Sequence, residues 1–292
     1  MHFSIRYRTE YTYSTPVSDN LNALRVRPAT TSSQRCDEFH TRIDPEARVI
    51  RHLDYFGTEV LEFGIPTAHE QLTIDVRARV VTSAPPEPPH GPWSALASEA
   101  YVEAAGEFVL PWHDQPAIPG LDELAASLSA ASDPLAALRL LTELIPDTFA
   151  YRRGATYVGS TVADLLAAGA GVCQDFVHVS LLLLRRRGIA ARYVSGYLWA
   201  APEDEGADSL EVDTHAWLEA LLPGIDGRGE PVWVGVDPTN RRFAGETHVK
   251  IGHGRFYADI PPVKGVYRGG TASTLDAAVT MSRLDPQAGA RA

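Results

Sequence analysis

The sequence predicts an α+β protein in which helices pack on an antiparallel sheet, preceded by a small all-β unit. Three observations carry this expectation. Residues 1 to about 83 alternate polar and apolar side chains, as in Phe3, Ile5 and Tyr7 and again in Leu72, Ile74, Val76, Ala78 and Val80. The proline-dense stretch APPEPPHGPW, Ala84 to Trp93, then interrupts the pattern. Helical periods follow, and beyond residue 189 the period returns to two. Helices followed by strands indicate an α+β architecture.

Each element has a local reason. MHFSIRYRTEYTY, EFHTRIDP, EVLEFGI and QLTIDVRARVV read as strands separated by Pro, Gly and Asp, so residues 1–84 form a β-rich unit of sandwich or barrel-like character. APPEPPHGPW cannot be a regular helix or a central strand, because each proline lacks an N–H donor and fixes φ. It opens a connecting segment over 85–119. ASEAYVEAAGEFV, LDELAASLS and DPLAALRLLTELIPDTF are helical pieces, the last with Asp133 as N-cap and Pro134 at the first helical position. Residues 172–187 contain no Pro or Gly, and Gly188 supplies a stop. Phe176, Val177, Val179 and Leu181 to Leu184 surround that helix almost completely, so it should be central and buried. ARYVSGYL, THAWLEALL and PVWVGVDPT are strand-like, and residues 120–292 are expected to make the second domain. The acidic segment Pro202 to Asp213 reads as a solvated hairpin loop. There is no internal repeat.

Charge and composition limit the function. A formal net charge of −11 argues against nucleic acid or an anionic membrane as the main partner, since phosphate binding requires clustered Lys and Arg. The one dense basic run, Arg185 to Arg187, ends the buried helix, where cations suit the dipole and the free carbonyls. No apolar block opens the chain, and no run approaches the roughly 18 apolar residues of a membrane span. Two cysteines do not make a disulfide framework, so free thiols in a reducing cytoplasm are expected.

One of those thiols, Cys173, falls in the first turn of the buried helix, after the flexible AAGAG. Unpaired N–H groups and the positive dipole end at such a position stabilise a thiolate and can receive an oxyanion. A small buried hydrophobe is the plainer role for a free cysteine. A nucleophile needs a base, and the base an orienting group. His178 lies five residues on, about 500° around the helix, and points away from Cys173. His215, near the start of THAWLEALL, is placed to reach the sulfur. If the next strand is its antiparallel neighbour, Asp237 would accept the Nδ1–H of His215. Cys36 has no local histidine or helix start and is expected to be inert; His40, His52, His69, His90 and His113 are scattered. No CxxC, HExxH or HxxxH cluster surrounds Cys173, and GxSxG, GxxxxGK[ST] and GxGxxG are absent.

GVCQDFVHVSLLLLRRRGIAARYVSGYL, THAWLEALLPG and VWVGVDPTN together resemble the three catalytic motifs of the bacterial transglutaminase-like superfamily. YTYSTPV and LDYFGTEVLEF are similar to the N-terminal region that accompanies that core in bacteria, and HVKIGHGRFYADIPPVKGVYRGG to its C-terminal segment. The resemblance implies a papain-like core with Cys173 as nucleophile, His215 as general base and Asp237 as orienting acid. It implies thiol acyl chemistry on peptide, isopeptide or glutamine-amide bonds, with a peptide or protein amide as partner and no cofactor. The oxyanion hole would use the Cys173 N–H and one further side chain, the polar options being Tyr151, Thr156, Tyr157 and Gln174. No EF-hand pattern supports calcium. The sequence departs from the family pattern at Thr58 and Phe256, where Asn and Asp are expected, and at Val177 in place of Ala. The alternative is a non-catalytic protein- or glycan-binding scaffold on the same fold.

Overall fold

The structure is a computed structural model and describes residues 1–110, 118–200, 209–212, 214–225, 229–270 and 272–284. The all-β start comprises β1 (His2–Leu24), β2 (Gln34–Asp44), β3 (Ile50–Leu53), β4 (Glu59–Ile65) and β5 (His69–Thr82). The first half of β1 lies antiparallel to β5, with Phe3 opposite Val80 and Ile5 opposite Ala78. Phe3, Ile5 and Tyr7 are buried while Arg6 and Arg8 are exposed, as period-two alternation requires. The register shifts between Thr12 and Val17, around Pro16, which cannot donate to a ladder. Past that break β1 pairs with β4, so one 23-residue strand serves two groups of strands.

Residues 83–92 have no regular structure, as their prolines dictate. Then follow α1 (Glu99–Ala105), α2 (Leu121–Ser127), α3 (Pro134–Thr148), β6 (Ala150–Tyr151), α4 (Val162–Ala168), β7 (Ala170–Gly171) and α5 (Cys173–Arg186). Asp133 caps α3 by accepting from the Ala136 N–H at 2.8 Å, with Pro134 in the first turn. Helix α5 is buried from Asp175 to Arg185. It ends where Gly188 adopts φ +76°, with the Gly188 and Ile189 N–H groups closing on Arg185 and Leu184. The basic run is structural here. Arg185 donates to the Ala191 and Arg255 carbonyls, Arg186 pairs with Asp122, and Arg187 lies over the Trp93 ring.

After α5 come β8 (Ala191–Leu198), β9 (Ser209–Val212), β10 (Thr214–Leu222), β11 (Val232–Asp237), β12 (Arg242–Phe243), β13 (His248–Gly254), β14 (Val263–Arg268) and β15 (Ser273–Arg283). A second antiparallel sheet runs in the order β12–β11–β10–β8–β13. One face of it is shared. Tyr193 and Leu218, opposed across β8 and β10, pack with α5, whereas Tyr197 on the same face joins Val249 and Ile251 in the core of the first sheet. The boundary between the two covers falls at the start of β10.

The chain tail departs from the sequence reading. Residues 120–292, expected to make one domain, contribute to both sheets, because β14 and β15 return to pair with β1. The return covers an edge of β1 that would otherwise present unpaired N–H and C=O groups. Ser209–Val212, within the segment read as a solvated loop, is a strand at the outer edge of β15. The rest of that acidic segment, and His113, lie outside the described residues. No helix among the described residues is long and apolar enough to cross a membrane.

Candidate active site

Three features fix the start of α5. Asp175, in its first turn, accepts from the Val172 N–H at 2.8 Å and from the Thr156 hydroxyl at 2.6 Å. A carboxylate there also complements the helix dipole. Gly171 is required by contact, since a Cβ at that position would stand 2.7 Å from Asp175 Oδ2 and 2.8 Å from Leu165 Cδ1. Cys173, the first residue of the helix, is half-buried against the core that includes Phe176 and Tyr193.

The neighbouring strands deliver the other two groups. His215 is the second residue of β10 and Asp237 the last of β11, where Pro238 stops the ladder. Their side chains meet diagonally, His215 Nε2 lying 2.9 Å from Asp237 Oδ2. The ring nitrogen facing Asp237 is therefore Nε2, not the Nδ1 the sequence reading expected. The diagonal offset between the strands is spanned by the distal nitrogen, which leaves Nδ1 for the thiol. Burial disfavours the imidazolium of His215, but hydrogen bonds with Asp237 and Cys173 outweigh it and raise its pKa to about 9. Asp237 is fully buried; burial pushes its pKa up, and the bonds with His215 and His248 pull it well below the usual carboxylate range.

Two residues missed by sequence reasoning complete this arrangement. Asn240 donates its amide to Asp237 Oδ2 at 2.7 Å and its backbone N–H to Oδ1 at 3.2 Å. Its position three residues past Asp237, in DPTN, is a local turn signal that could have found it. His248 Nε2 lies 3.1 Å from the same Oδ2. Its Nδ1 accepts from the Gly245 N–H at 3.1 Å, so neutral His248 carries its proton on Nε2 and donates to Asp237. Burial lowers its pKa and favours that neutral form. No short-range signal marks His248, which arrives from β13. Trp217 stacks at 6.1 Å on His215 and meets His248 edge-on at 5.2 Å. Gly196, paired with His215, makes room for it: a Cβ there would be 2.5 Å from Trp217 Cη2 and 2.2 Å from the Val249 carbonyl.

His215, Asp237 and His248 place one potential ligand atom each within 4.8 Å of one another. Both imidazoles address a single carboxylate oxygen at hydrogen-bond distance, and the Nε2 of His248 is committed as a donor. A zinc ion would instead require lone pairs converging on a common centre about 2 Å from each ligand. These residues fit a hydrogen-bond network better than a metal site.

The other expected residues separate. Tyr151 sits on β6 opposite Gly171, with its ring edge-on to Phe176, and Gln174 follows the thiol directly. Thr156 also reaches the start of α5, but its hydroxyl is engaged by Asp175, so it serves the helix cap. Tyr157 is 76% exposed. His178 is a packing residue: its Nε2 accepts from the Tyr257 N–H at 3.2 Å, and burial, with Arg185 nearby, lowers its pKa to about 4. The Cys36 thiol faces the Glu38 carbonyl, and burial pushes its pKa up. Phe256 receives the Arg185 guanidinium over its ring at 4.5 Å, and Thr58 fills the space beside Gly252.

Comparison with known proteins agrees with this architecture. Residues 3–81 match the bacterial transglutaminase-like N-terminal region, and residues 122–238 match the transglutaminase-like superfamily core. An uncharacterised protein of Mycobacterium tuberculosis is 34% identical over 95% of this chain and 91% of its own. One of Mycobacterium leprae is 31% identical over 95% of this chain and 97% of its own. A protein-glutamine gamma-glutamyltransferase of Pseudomonas aeruginosa is 31% identical over 55% of this chain and 24% of its own. A solved structure from Cytophaga hutchinsonii, provisionally named a cysteine protease, shares the fold with a TM-score of 0.73 at 21% identity, covering 98% of this chain and 91% of that one. With a core built on the matched motifs and two relatives aligned over nearly their whole lengths, the chain belongs to the transglutaminase-like superfamily.

Proposed function

We propose that the protein is a thiol acyl enzyme acting on peptide, isopeptide or glutamine-amide bonds, with hydrolysis as its default outcome. The observation that carries this reading is His215 held between Asp237 and Cys173 at the start of a buried helix. Cys173 Sγ attacks the amide carbonyl and its proton passes to His215 Nδ1. The tetrahedral oxyanion is received by the N–H groups at the α5 N-terminus. Protonated His215 then gives its proton to the departing amine or ammonia, and a thioester remains on Cys173. Water, deprotonated by His215, resolves that thioester to an acid and the free thiol; an amine entering instead gives transfer. The half-buried Cys173 supports access of water and hence hydrolysis.

The test measures ammonia or amine release from glutamine amides and peptides, with and without an added primary amine, for wild type and Cys173→Ala. Release by wild type and none by Cys173→Ala is expected. Full activity in Cys173→Ala would overturn the mechanism. Incorporation of the amine at the expense of free acid would replace hydrolysis by transfer. A thiol no more reactive than Cys36 would favour the scaffold reading.

A further inference from the structure

The face of the second sheet that turns away from α5 carries a cavity of about 240 Å³. Period-two alternation on four strands builds its floor: Arg192 of β8, Trp217 and Glu219 of β10, Gly235 of β11, and His248 and Lys250 of β13. The N-terminal unit supplies another wall, where the exposed Ser32 and Ser83 open it to solvent. The cavity adjoins the supports of the candidate catalytic pair, since Trp217 stacks on His215 and His248 donates to Asp237.

Its polar lining is rich in donors and short of acceptors. The charged side chains among its described walls are Arg192, Lys250 and Glu219, which leave one net positive charge. Both Glu219 oxygens are taken, by Lys250 Nζ at 2.8 and 2.7 Å and by Arg192 Nε at 2.6 Å. Among the described residues nothing accepts from Arg192 Nη2 or from the Trp217 indole N–H. Trp217 is only 2% exposed, and a buried indole N–H ordinarily has a partner. This one stands at the cavity wall beside Gly235, where a Cβ would lie 3.7 Å from Nε1. Unmatched donors around an uncompensated cation call for an acceptor that carries negative charge.

We infer that this cavity binds a small monocarboxylate, whose oxygens accept from Trp217 Nε1, Arg192 and Lys250. One anionic charge matches the one net positive charge of the walls, and a dianion would exceed it. The body of the molecule has apolar surface to meet, because Val232, Pro85 and Pro86 also line the space. Cys173 is not among the described walls, so the site does not depend on the proposed chemistry at the thiol.

Calorimetric titration of the full-length protein with benzoate tests this at pH 7, below the Lys250 pKa of about 8. Wild type should bind benzoate at least about tenfold more tightly than benzamide, which lacks the charge. Trp217→Phe keeps a ring beside His215 but removes the N–H, and should weaken benzoate about tenfold. Ser83→Glu is an exposed change that leaves the ion pairs intact. It should weaken benzoate about fivefold through like charge, while Ser83→Gln should not. Cys173→Ala should bind as wild type does, whatever becomes of its activity. Loss of binding in Cys173→Ala would put the carboxylate at the thiol and overturn the inference. So would equal affinity for benzoate and benzamide, no saturable binding, or indifference to both Trp217→Phe and Ser83→Glu. Tighter binding of inorganic phosphate than of benzoate would overturn the monocarboxylate assignment.

Discussion

Strand β10 carries two polar clusters on one face, four residues apart, and they differ in what their protons can reach. At its start His215 meets Asp237, which His248 and Asn240 also bind. Further along, Glu219 accepts from Lys250 Nζ at 2.7 and 2.8 Å and from Arg192 Nε at 2.6 Å, while the Arg192 guanidinium lies 3.9 Å above the Trp233 ring. Burial alone would raise the pKa of Glu219, but Lys250 and Arg192 outweigh it and hold the pKa at about 2. Burial lowers the Lys250 pKa to about 8 against the opposing pull of Glu219, so the exchangeable proton of this cluster sits on an ammonium already bonded to both Glu219 oxygens. The first cluster differs in where its exchangeable proton leads, because His215, with a pKa of about 9, hydrogen-bonds with the Cys173 thiol as well as with Asp237. Similar burial and similar distances thus give an ion-pair cluster closed on Glu219 in one place and a candidate acid–base centre beside a thiol in the other.

The comparison can be broken by substitution. Cys173→Ala should abolish amide turnover, and His215→Ala should come close to doing so, with both proteins folded by circular dichroism. Asp237→Ala should cost about 10³–10⁴ in kcat, since His215 loses its orienting partner. Turnover near the wild-type rate would deny Asp237 that role. Glu219→Gln should act on the other axis. It leaves Arg192 and Lys250 half-buried without a countercharge, and chemical denaturation should show a loss of about 3 kcal/mol. The iodoacetamide rate at Cys173 should follow the wild type at temperatures where the variant is folded. A selective loss of thiol reactivity in Glu219→Gln would show that the clusters are coupled.

pH sharpens the same contrast. The folded pKa of His215 lies above its ordinary 6.5, so the stability it contributes is fully present below about pH 6.5 and is lost as pH rises through about 9. Turnover should fall over the upper part of that range, as His215 ceases to supply a proton to the leaving amine. The folded pKa of Glu219 lies below its ordinary 4.5, so its contribution is present above about pH 4.5 and is lost as pH falls through about 2. An alkaline limb that survives unchanged in Asp237→Asn would detach it from His215. The smallest expected effect is that of Asn240→Ala. Asp237 keeps both histidine partners, so a loss of about 1 kcal/mol in transition-state stabilisation is expected, read as kcat/KM.

Much of the site was legible in the sequence because its parts sit at element ends with local signals. The glycine-rich entry places Cys173 in a first turn, the pitch of the helix turns His178 away, and Pro238 marks the end of the strand carrying Asp237. His248 was illegible because it reaches Asp237 from β13 across β8 and β10, a route that only sheet order defines. The ring nitrogen of His215 that meets Asp237 was misassigned because strand neighbours were known but not the diagonal offset between their side chains.

Periodicity, proline placement and helix capping are properties of short windows, and so the sequence by itself determined the all-β start, the buried helix and the strands that follow it. The return of β14 and β15 to the first sheet was decided by tertiary structure, because covering an open strand edge joins residues as far apart in sequence as Leu24 and Val263 or Phe3 and Arg283. The sharing of one face of the second sheet between α5 and the first sheet was decided in the same way.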